Sequence, residues 1–172
     1  MKIKKLIPLL TILSILTLPA CLGNDEYTDY SVWRELNTNY IDSISKATEN
    51  GRLVYTPIVP NWDNSFTVYV RWHNTREENA SLITPFSTST CHVKYTLTDI
   101  DGDTLDSSAS FTCVPNNLVT GFMATLTNMC VKDTVTTVIP YMAGYGAYGS
   151  SSIPPFTTLI FGIRLDSISK WM

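Results

Sequence analysis

Residues 137–165 read TVIPYMAGYGAYGSSSIPPFTTLIFGIRL, and they carry the strongest indication of fold in the chain. A β-prone segment ends at Pro140, a loop rich in tyrosine and glycine follows, and Ile-Pro-Pro at residues 153–155 leads into a second apolar segment. From Leu159 to Leu165 large apolar residues occupy every second position, which is the period of a half-buried strand. The stretch therefore predicts two strands joined by a long loop.

The first twenty residues have the pattern of a secretory signal peptide. Three lysines at positions 2, 4 and 5 precede an apolar run from Leu6 to Leu18, and the small residue Ala20 follows. The run is short for a membrane span. Cys21, directly after Leu-Pro-Ala, resembles the lipobox cysteine that becomes the lipidated N-terminus of bacterial lipoproteins. The alternative is an ordinary signal peptide that happens to meet a cysteine.

The charge and the cysteine content of the chain limit the partners it can bind and the kinds of site it can contain. Removal of residues 1–20 takes away three lysines and no acid, so the formal charge falls from −3 to −6. An acidic mature chain argues against nucleic acid as a partner. If Cys21 is lipidated, Cys91, Cys113 and Cys130 are the remaining cysteines, so one disulfide can form. Their spacing does not indicate which two of them would pair. No Cys-x-x-Cys motif supports a redox or zinc site.

The mature chain divides into a tether (21–30), an N-terminal extension of a helix plus strands (31–90) and a main domain (91–172). The tether is polar and acidic. Apolar residues at helical spacing predict an amphipathic helix, with Ser31 or Asp29 as its cap and Gly51 at its end. We expect this helix to dock on the main domain, and a partner-binding helix is the alternative. Its predicted apolar positions are Val32, Trp33, Leu36, Tyr40, Ile41 and Ile44.

Strand patterns fill most of the remaining chain. Residues 53–59 are apolar but contain Pro57, which suits an edge strand. Residues 66–72 and 91–97 alternate as half-buried strands do, and residues 133–139 are rich in β-branched residues. Asp101-Gly102 predicts a turn, and residues 73–90 and 107–115 are expected to be loops.

One short interior helix is also predicted. Asn116 or Asn117 would cap it, and its apolar face would comprise Leu118, Val119, Phe122, Met123 and Leu126. Several antiparallel strands and one interior helix indicate an α+β domain with the helix packed on one face of the sheet.

Three segments in order resemble the FKBP-type peptidyl-prolyl cis-trans isomerase family. Residues 95–108 (YTLTDIDGDTLDSS) are similar to the family pattern Tyr-Thr-Gly, Asp-Gly and Phe-Asp-Ser-Ser. Residues 118–122 (LVTGF) stand where the family has Val-Ile-x-Gly-Trp, and residues 137–165 resemble its closing half. The resemblance covers roughly residues 91–168.

This resemblance implies an antiparallel half-barrel sheet wrapped on one short helix, with an apolar cleft that binds proline-containing polypeptides or macrolides such as FK506. It implies no cofactor and no metal. Matched position by position, the catalytic residues would be Tyr95, Asp106, Tyr145 and Ile153. The substrate-binding residues would be Leu105, Leu118, Val119, Phe122 and Phe161.

The resemblance also implies individual roles. The Tyr145 hydroxyl and the Ile153 N–H would hold substrate carbonyls, and Asp106, with Tyr95 as its partner, would orient the twisted amide. Phe122 stands where the family has Trp, and Leu105 replaces a Phe. These two departures motivate the alternative of a weak or inactive peptide-binding lipoprotein. A second alternative is a glycan-binding surface lipoprotein that uses Tyr141, Tyr145 and Tyr148 as a stacking platform.

Other chemistries find less support. Asp99 to Ser110 fails as an EF-hand because the sixth and twelfth positions are Thr104 and Ser110. His73 and His92 have no companion at metal-ligand spacing. The lipobox pattern and the family resemblance together imply a lipid-anchored isomerase in the cell envelope of a Gram-negative bacterium, at the outer membrane, acting on exported proteins, with its membrane face left open.

Overall fold

Six antiparallel strands form one sheet in the computed structural model, which describes residues 28–74 and 83–170. The helices are α1 (Ser31–Lys46) and α2 (Thr120–Leu126), with 3₁₀ turns at Pro115–Asn117 and Tyr141–Ala143. The strands are β1 (Thr48–Glu49), β2 (Arg52–Leu53), β3 (Thr56–Ile58), β4 (Val68–Trp72), β5 (Thr90–Thr98), β6 (Thr104–Cys113), β7 (Thr134–Ile139) and β8 (Leu159–Lys170). The large sheet has the order β3-β4-β7-β8-β5-β6, while β1 and β2 form a separate hairpin.

The core lies between the inner face of this sheet and α2. Buried residues occupy every second position of β5 and β8, so one face of each central strand is apolar. On the helix, Phe122 and Leu126 are buried, and the Thr125 hydroxyl shares a 2.9 Å hydrogen bond with that of Thr137 on β7. This arrangement agrees with the predicted α+β class, in which a sheet packs on one short helix and a second helix precedes it.

The predicted N-terminal helix is present, and its packed face agrees in part with the expected one, since Ile44 is buried and Trp33, Tyr40 and Ile41 are half-buried. Val32 is 67% exposed and Leu36 is 50% exposed, whereas Asn37 is fully buried. Trp33 and Asn37 bind residues of the chain just before β8. The helix ends at Lys46, and Gly51, with φ of 75°, instead serves the turn between β1 and β2. The face is therefore selected by polar partners as well as by apolar burial.

Two further local predictions are wrong. Residues 107–115 are mostly strand, because β6 pairs with β5 through Cys113. Small polar residues dominate β6, so its edge position left no apolar alternation to detect. Neither Asn116 nor Asn117 caps α2, since the two residues end a 3₁₀ turn and Val119 occupies the N-cap without a side-chain bond.

Other local predictions are confirmed. The strand containing Pro57 is short and lies at one edge of the sheet, where the missing N–H costs no ladder bond. Gly102 has a φ of 88°, and its N–H donates to Asp99 O at 3.3 Å in the turn before β6. Strands β4, β5, β7 and β8 follow the predicted segments within a few residues.

The N-terminal extension contributes to the main sheet, since β3 pairs with β4 and β4 pairs with β7. The predicted division at residue 91 stays a prediction. The signal peptide of residues 1–20, the lipidated Cys21 and most of the tether lie outside the described residues. Within residues 28–74 and 83–170, none of the helices has the length and apolarity that crossing a bilayer requires.

Cys91 and Cys113 face each other across β5 and β6 as unbonded thiols. Burial raises the pKa of Cys91 to about 11 and that of Cys113 to about 12, and for Cys113 the neighbouring Cys91 adds to the shift. Only the thiolate is an effective nucleophile, so both side chains are poorly reactive in the folded protein.

We expect iodoacetamide to modify Cys91 in the reduced native protein on the order of a hundredfold more slowly than in the unfolded chain at about pH 8. A rise of two pKa units accounts for that factor through the thiolate fraction alone. Peptide mass spectrometry after timed labelling, with and without guanidinium, measures both rates. Equal rates in the two states would contradict the buried placement.

Candidate functional site

A cleft of about 440 Å³ opens between the inner face of the sheet and the chain around α2. Its lining comes from four separate parts of the chain: β5, β6, the segment 117–122 and the region from Tyr145 to β8. The lining residues are Tyr95, Leu97, Asp106, Phe111, Asn117, Leu118, Val119, Phe122, Tyr145 and Phe161. Apolar and aromatic walls with a few polar groups are typical of small-ligand sites.

Four aromatic rings pack edge to face and fix the walls of the cleft. The Tyr95 ring lies 5.4 Å from Phe111, 6.3 Å from Phe122 and 5.9 Å from Phe161, measured between ring centroids. The Phe122 and Phe161 rings are 4.8 Å apart. These separations fall in the favourable range for edge-to-face pairs, so each ring restricts its neighbours. The cleft is therefore largely preformed.

One charge-assisted hydrogen bond spans the cleft wall. The Tyr95 hydroxyl donates to Asp106 Oδ2 at 2.6 Å, and Asp106 Oδ1 accepts the Ser107 N–H at 2.8 Å. Burial, and then the bond to Asp106, raise the pKa of Tyr95 to about 12. The phenol therefore stays protonated and donates to the carboxylate throughout the physiological pH range.

Tyr145 stands at the rim of the cleft with 39% of its surface exposed. It begins a tight turn in which the Gly149 N–H donates to the Tyr145 carbonyl at 3.1 Å. Gly149 has a φ of 68°, and a Cβ there would lie 2.2 Å from the Ile153 carbonyl oxygen. Glycine is thus required where the loop folds back toward the following prolines.

The structure brings together most of the residues that the sequence predicted for the site. Tyr95, Asp106, Leu118, Val119, Phe122, Tyr145 and Phe161 all line the cleft. Two predicted residues are absent from its lining: Leu105 is half-buried and packs against the core, and Ile153 is buried within the core cluster. The roles assigned to all nine residues stay predictions.

Three lining residues were not predicted for the site. Phe111 lies in the part of β6 that had been assigned to a loop, and Asn117 had been assigned to a helix cap. Leu97 lies in the strand predicted over residues 91–97, without a predicted role in the site. Phe111 and Asp106 are five residues apart, a spacing that places two residues of a regular strand on opposite faces. A bulge interrupts the pairing of β5 with β6 between Val93 and Tyr95, so the sequence spacing did not predict that both residues line the cleft.

In the described ranges 28–74 and 83–170, no group of three or more His, Cys, Asp or Glu side chains is arranged to hold a metal ion. The polar side chains that line the cleft are Tyr95 and Asp106, which bind each other, Asn117, and Tyr145 at the rim. Such groups can donate and accept hydrogen bonds to a peptide backbone, while the rings accommodate apolar side chains.

Comparison with known proteins adds an independent observation. Residues 83–166 match the model of a family described as FKBP-type peptidyl-prolyl cis-trans isomerase. The chain is also 38% identical over 91 residues to the FKBP-type 22 kDa peptidyl-prolyl cis-trans isomerase of Escherichia coli strain K12. That alignment covers 49% of this chain and 43% of the relative, so the chain spans less than half the relative's length.

Solved structures share the fold. The peptidyl-prolyl cis-trans isomerase of Pseudomonas syringae pv. tomato DC3000 superposes with a TM-score of 0.68 at 19% identity, covering 83% of this chain and 98% of that one. FkpA from Escherichia coli gives a TM-score of 0.65 at 20% identity, covering 78% of this chain and 58% of that chain. The predicted FKBP-like fold class is confirmed.

Tyr95→Phe removes the hydroxyl from the bond to Asp106 and keeps the ring packing. Because the pair is partly exposed, we expect the free energy of unfolding to fall by about 1 kcal/mol. Urea denaturation followed by fluorescence measures the change. Tyr148→Phe is the matched control, since Tyr148 is 94% exposed. A decrease in the free energy of unfolding no larger than that of Tyr148→Phe would contradict a stabilising hydrogen bond between Tyr95 and Asp106.

Proposed function

We propose that the protein accelerates cis-trans isomerisation of X-Pro peptide bonds, because residues 83–166 match the FKBP-type peptidyl-prolyl cis-trans isomerase family. The observation that carries the proposal is the cleft itself. It combines four mutually packed aromatic rings with a hydrogen bond between Tyr95 and Asp106. Because the curated relative is only partly covered, activity, substrates and partners are proposals for this chain.

The cleft can act on a prolyl bond without a nucleophile or a general base. Rotation about a peptide bond is slow because amide resonance sets a barrier of about 18–20 kcal/mol. Twisting the bond removes that resonance and makes the carbonyl less polar. An apolar, aromatic cleft therefore accommodates the twisted amide better than water does, and this preference for the transition state lowers the barrier.

In the proposal, the apolar residues of the cleft bind the proline ring of the substrate. Phe122, Phe161, Leu118, Val119 and, behind them, Leu105 provide the apolar surface for the proline ring. The same surface would accept FK506-like macrolides, which would compete with peptide.

Four polar groups complete the proposed mechanism. The Tyr145 hydroxyl donates to a substrate carbonyl, and the Ile153 N–H donates to a second one. Asp106 orients the twisted amide or the groups beside it, and the Tyr95 hydroxyl holds the carboxylate in place. A free Asp106 side chain would sample several rotamers, so this bond reduces the cost of ordering the site when substrate binds.

A second candidate is an FKBP-like module that binds prolyl peptides without turning them over. Phe122 favours it, because a phenyl ring offers less surface at the floor of the cleft than the tryptophan of the family pattern. A glycan-binding surface protein is a third reading, supported by the exposure of Tyr148 at 94% and of Tyr145 at 39%.

The location of the protein is proposed from its sequence. The basic, apolar and small-residue pattern of residues 1–20, followed by Cys21, supports export and lipid anchoring in the envelope of a Gram-negative bacterium. Acyl chains on Cys21 would contribute about 0.8 kcal/mol per buried methylene, so multiple acylation would hold the protein at the membrane. Newly exported proteins with exposed prolines would then be its substrates.

Catalysis is tested by a protease-free isomerisation assay on a series of X-Pro peptides. We expect acceleration by the wild type, and a two- to tenfold lower kcat/KM for Tyr145→Phe, roughly the value of one lost hydrogen bond. Asp106→Ala should lower the rate further, and Phe122→Trp should raise it. Tyr148→Phe is the control and should match the wild type.

Each outcome separates the candidates. No acceleration by well-folded wild type across varied X residues would rule out the enzyme, and peptide binding measured by calorimetry would then favour the non-catalytic module. Binding of oligosaccharides but not of peptides would favour the glycan reading. Unchanged rates in Tyr145→Phe and Asp106→Ala would refute the placement of these residues in the site.

Anchoring is tested by Cys21→Ser, which removes the acylated thiol. We expect the variant to leave the membrane fraction, while Asn24→Ser, which keeps Cys21, stays with it. Fractionation of cells followed by immunoblotting measures the distribution, and metabolic labelling with a fatty acid detects the lipid. Persistent membrane association of an unlabelled Cys21→Ser variant would overturn the lipobox reading.

A further inference from the structure

The chain from Tyr141 to Thr158, here called the rim loop, carries Tyr145 at the edge of the cleft and Ile153 in the core. Helix α1 lies outside the segment that matches the family, yet it binds the end of this loop. We propose that α1, through Asn37 and Trp33, is a positioning element that holds the rim loop so that Tyr145 can bind substrate. The inference rests on the proposed function and extends it to residues outside the family domain.

Asn37 is the firmest link. Its side chain is fully buried, its Oδ1 accepts the Thr158 N–H at 2.6 Å, and its Nδ2 donates to the Trp33 carbonyl at 2.8 Å. Both ends of the amide are thus used, which fixes its orientation. An apolar replacement would leave the buried Thr158 N–H without its partner, and such a group is costly.

Trp33 supplies a second link, one turn earlier on the same face of α1. Its Nε1–H donates to Thr157 Oγ1 at 3.0 Å, and the Thr157 hydroxyl in turn donates to the Pro154 carbonyl at 2.8 Å. Thr157 is only 2% exposed, so this relay is shielded from water. It connects the helix to the residue that follows Ile153.

Arg34 provides a third link, to Phe156 near the end of the rim loop. Its guanidinium lies 5.1 Å from the centre of the Phe156 ring, which also packs edge to face with Tyr141 at 5.3 Å. Phe156 has a φ of 60°, a region that bulky residues rarely occupy without support. Its N–H donates to the Gly146 carbonyl at 2.9 Å, next to Tyr145.

These contacts distinguish α1 from a helix that merely covers apolar surface. Val32 and Leu36 remain largely exposed, while a buried amide, an indole N–H and a guanidinium all bind the rim loop. The loop spans residues 141–158 between β7 and β8, and such a segment would sample many conformations if its end were released. Its order is therefore coupled to α1.

The test compares full-length Asn37→Ala with the matched control Asn39→Ala, which removes an exposed amide from the same helix. We expect Asn37→Ala to raise KM for an X-Pro peptide three- to tenfold with a smaller change in kcat, and Asn39→Ala to leave both unchanged. Combined with Tyr145→Phe, the effect of Asn37→Ala should shrink, because the positioned hydroxyl is already gone. Unchanged KM, or fully additive effects, would overturn the inference.

A second pair of variants tests whether a change in KM comes from lost positioning of the rim loop rather than from unfolding. Thr157→Val removes the relay from Trp33 to Pro154 at nearly constant volume, and Thr157→Ser keeps the hydroxyl. We expect Thr157→Val to raise KM and Thr157→Ser to keep the wild-type KM, with urea denaturation showing that both variants are fully folded under the assay conditions. A rise in both variants, or in neither, would count against positioning through the relay.

Hydrogen exchange separates failure of this inference from failure of the proposed function. If the wild type shows no isomerase activity, the proposed function fails, but the rim loop can still be examined by mass spectrometry. We expect peptides within residues 141–158 to exchange at least tenfold faster in Asn37→Ala than in Asn39→Ala. Equal exchange in the two variants would overturn the positioning role whatever the activity.

Discussion

The pairing of β5 with β8 is the constraint on which the rest of the structure depends. These strands lie about seventy residues apart in the chain and are neighbours inside the sheet, where Tyr95 pairs with Ile163 and Leu97 with Phe161. Since side chains alternate between the faces of a strand, a slip of β5 by one residue against β8 would turn Tyr95 to the face opposite Phe161. The core and the cleft therefore share one register, and any change that weakens this pairing affects both.

This register also fixes the walls of the cleft, and the proposed function depends on these prearranged walls rather than on a reactive side chain. Aromatic rings from three strands and one helix restrict one another, and the Tyr95–Asp106 bond fixes the polar edge of the same wall. A surface of this kind favours an amide that has lost its polarity, because little in the cleft must rearrange as the bond twists. The long loop before β8 then adds Tyr145, whose position depends on contacts elsewhere in the fold.

The N-terminal extension is integrated with the domain that follows it. Strands β3 and β4 extend the sheet beyond β7, and α1 binds the chain just before β8 through Asn37 and Trp33. Residues that the family pattern does not cover thus contact the loop that completes the cleft. Asn37 on α1 and Thr158 at the end of this loop are 121 residues apart in the sequence.

The sequence by itself determined the central strands, because alternating apolar residues in β4, β5 and β8 can bury only one face of a sheet. It also determined most of the cleft, because the positions of Tyr95, Asp106, Phe122, Tyr145 and Phe161 follow from local motifs. Only the tertiary structure decided that serine-rich residues 107–113 form an edge strand and that Phe111 enters the cleft. It also decided that Asn37 is buried on α1, whereas the apolar Val32 and Leu36 are exposed. These features depend on partners distant in sequence: β6 is held by its pairing with β5, and Asn37 is buried because the Thr158 N–H requires an acceptor.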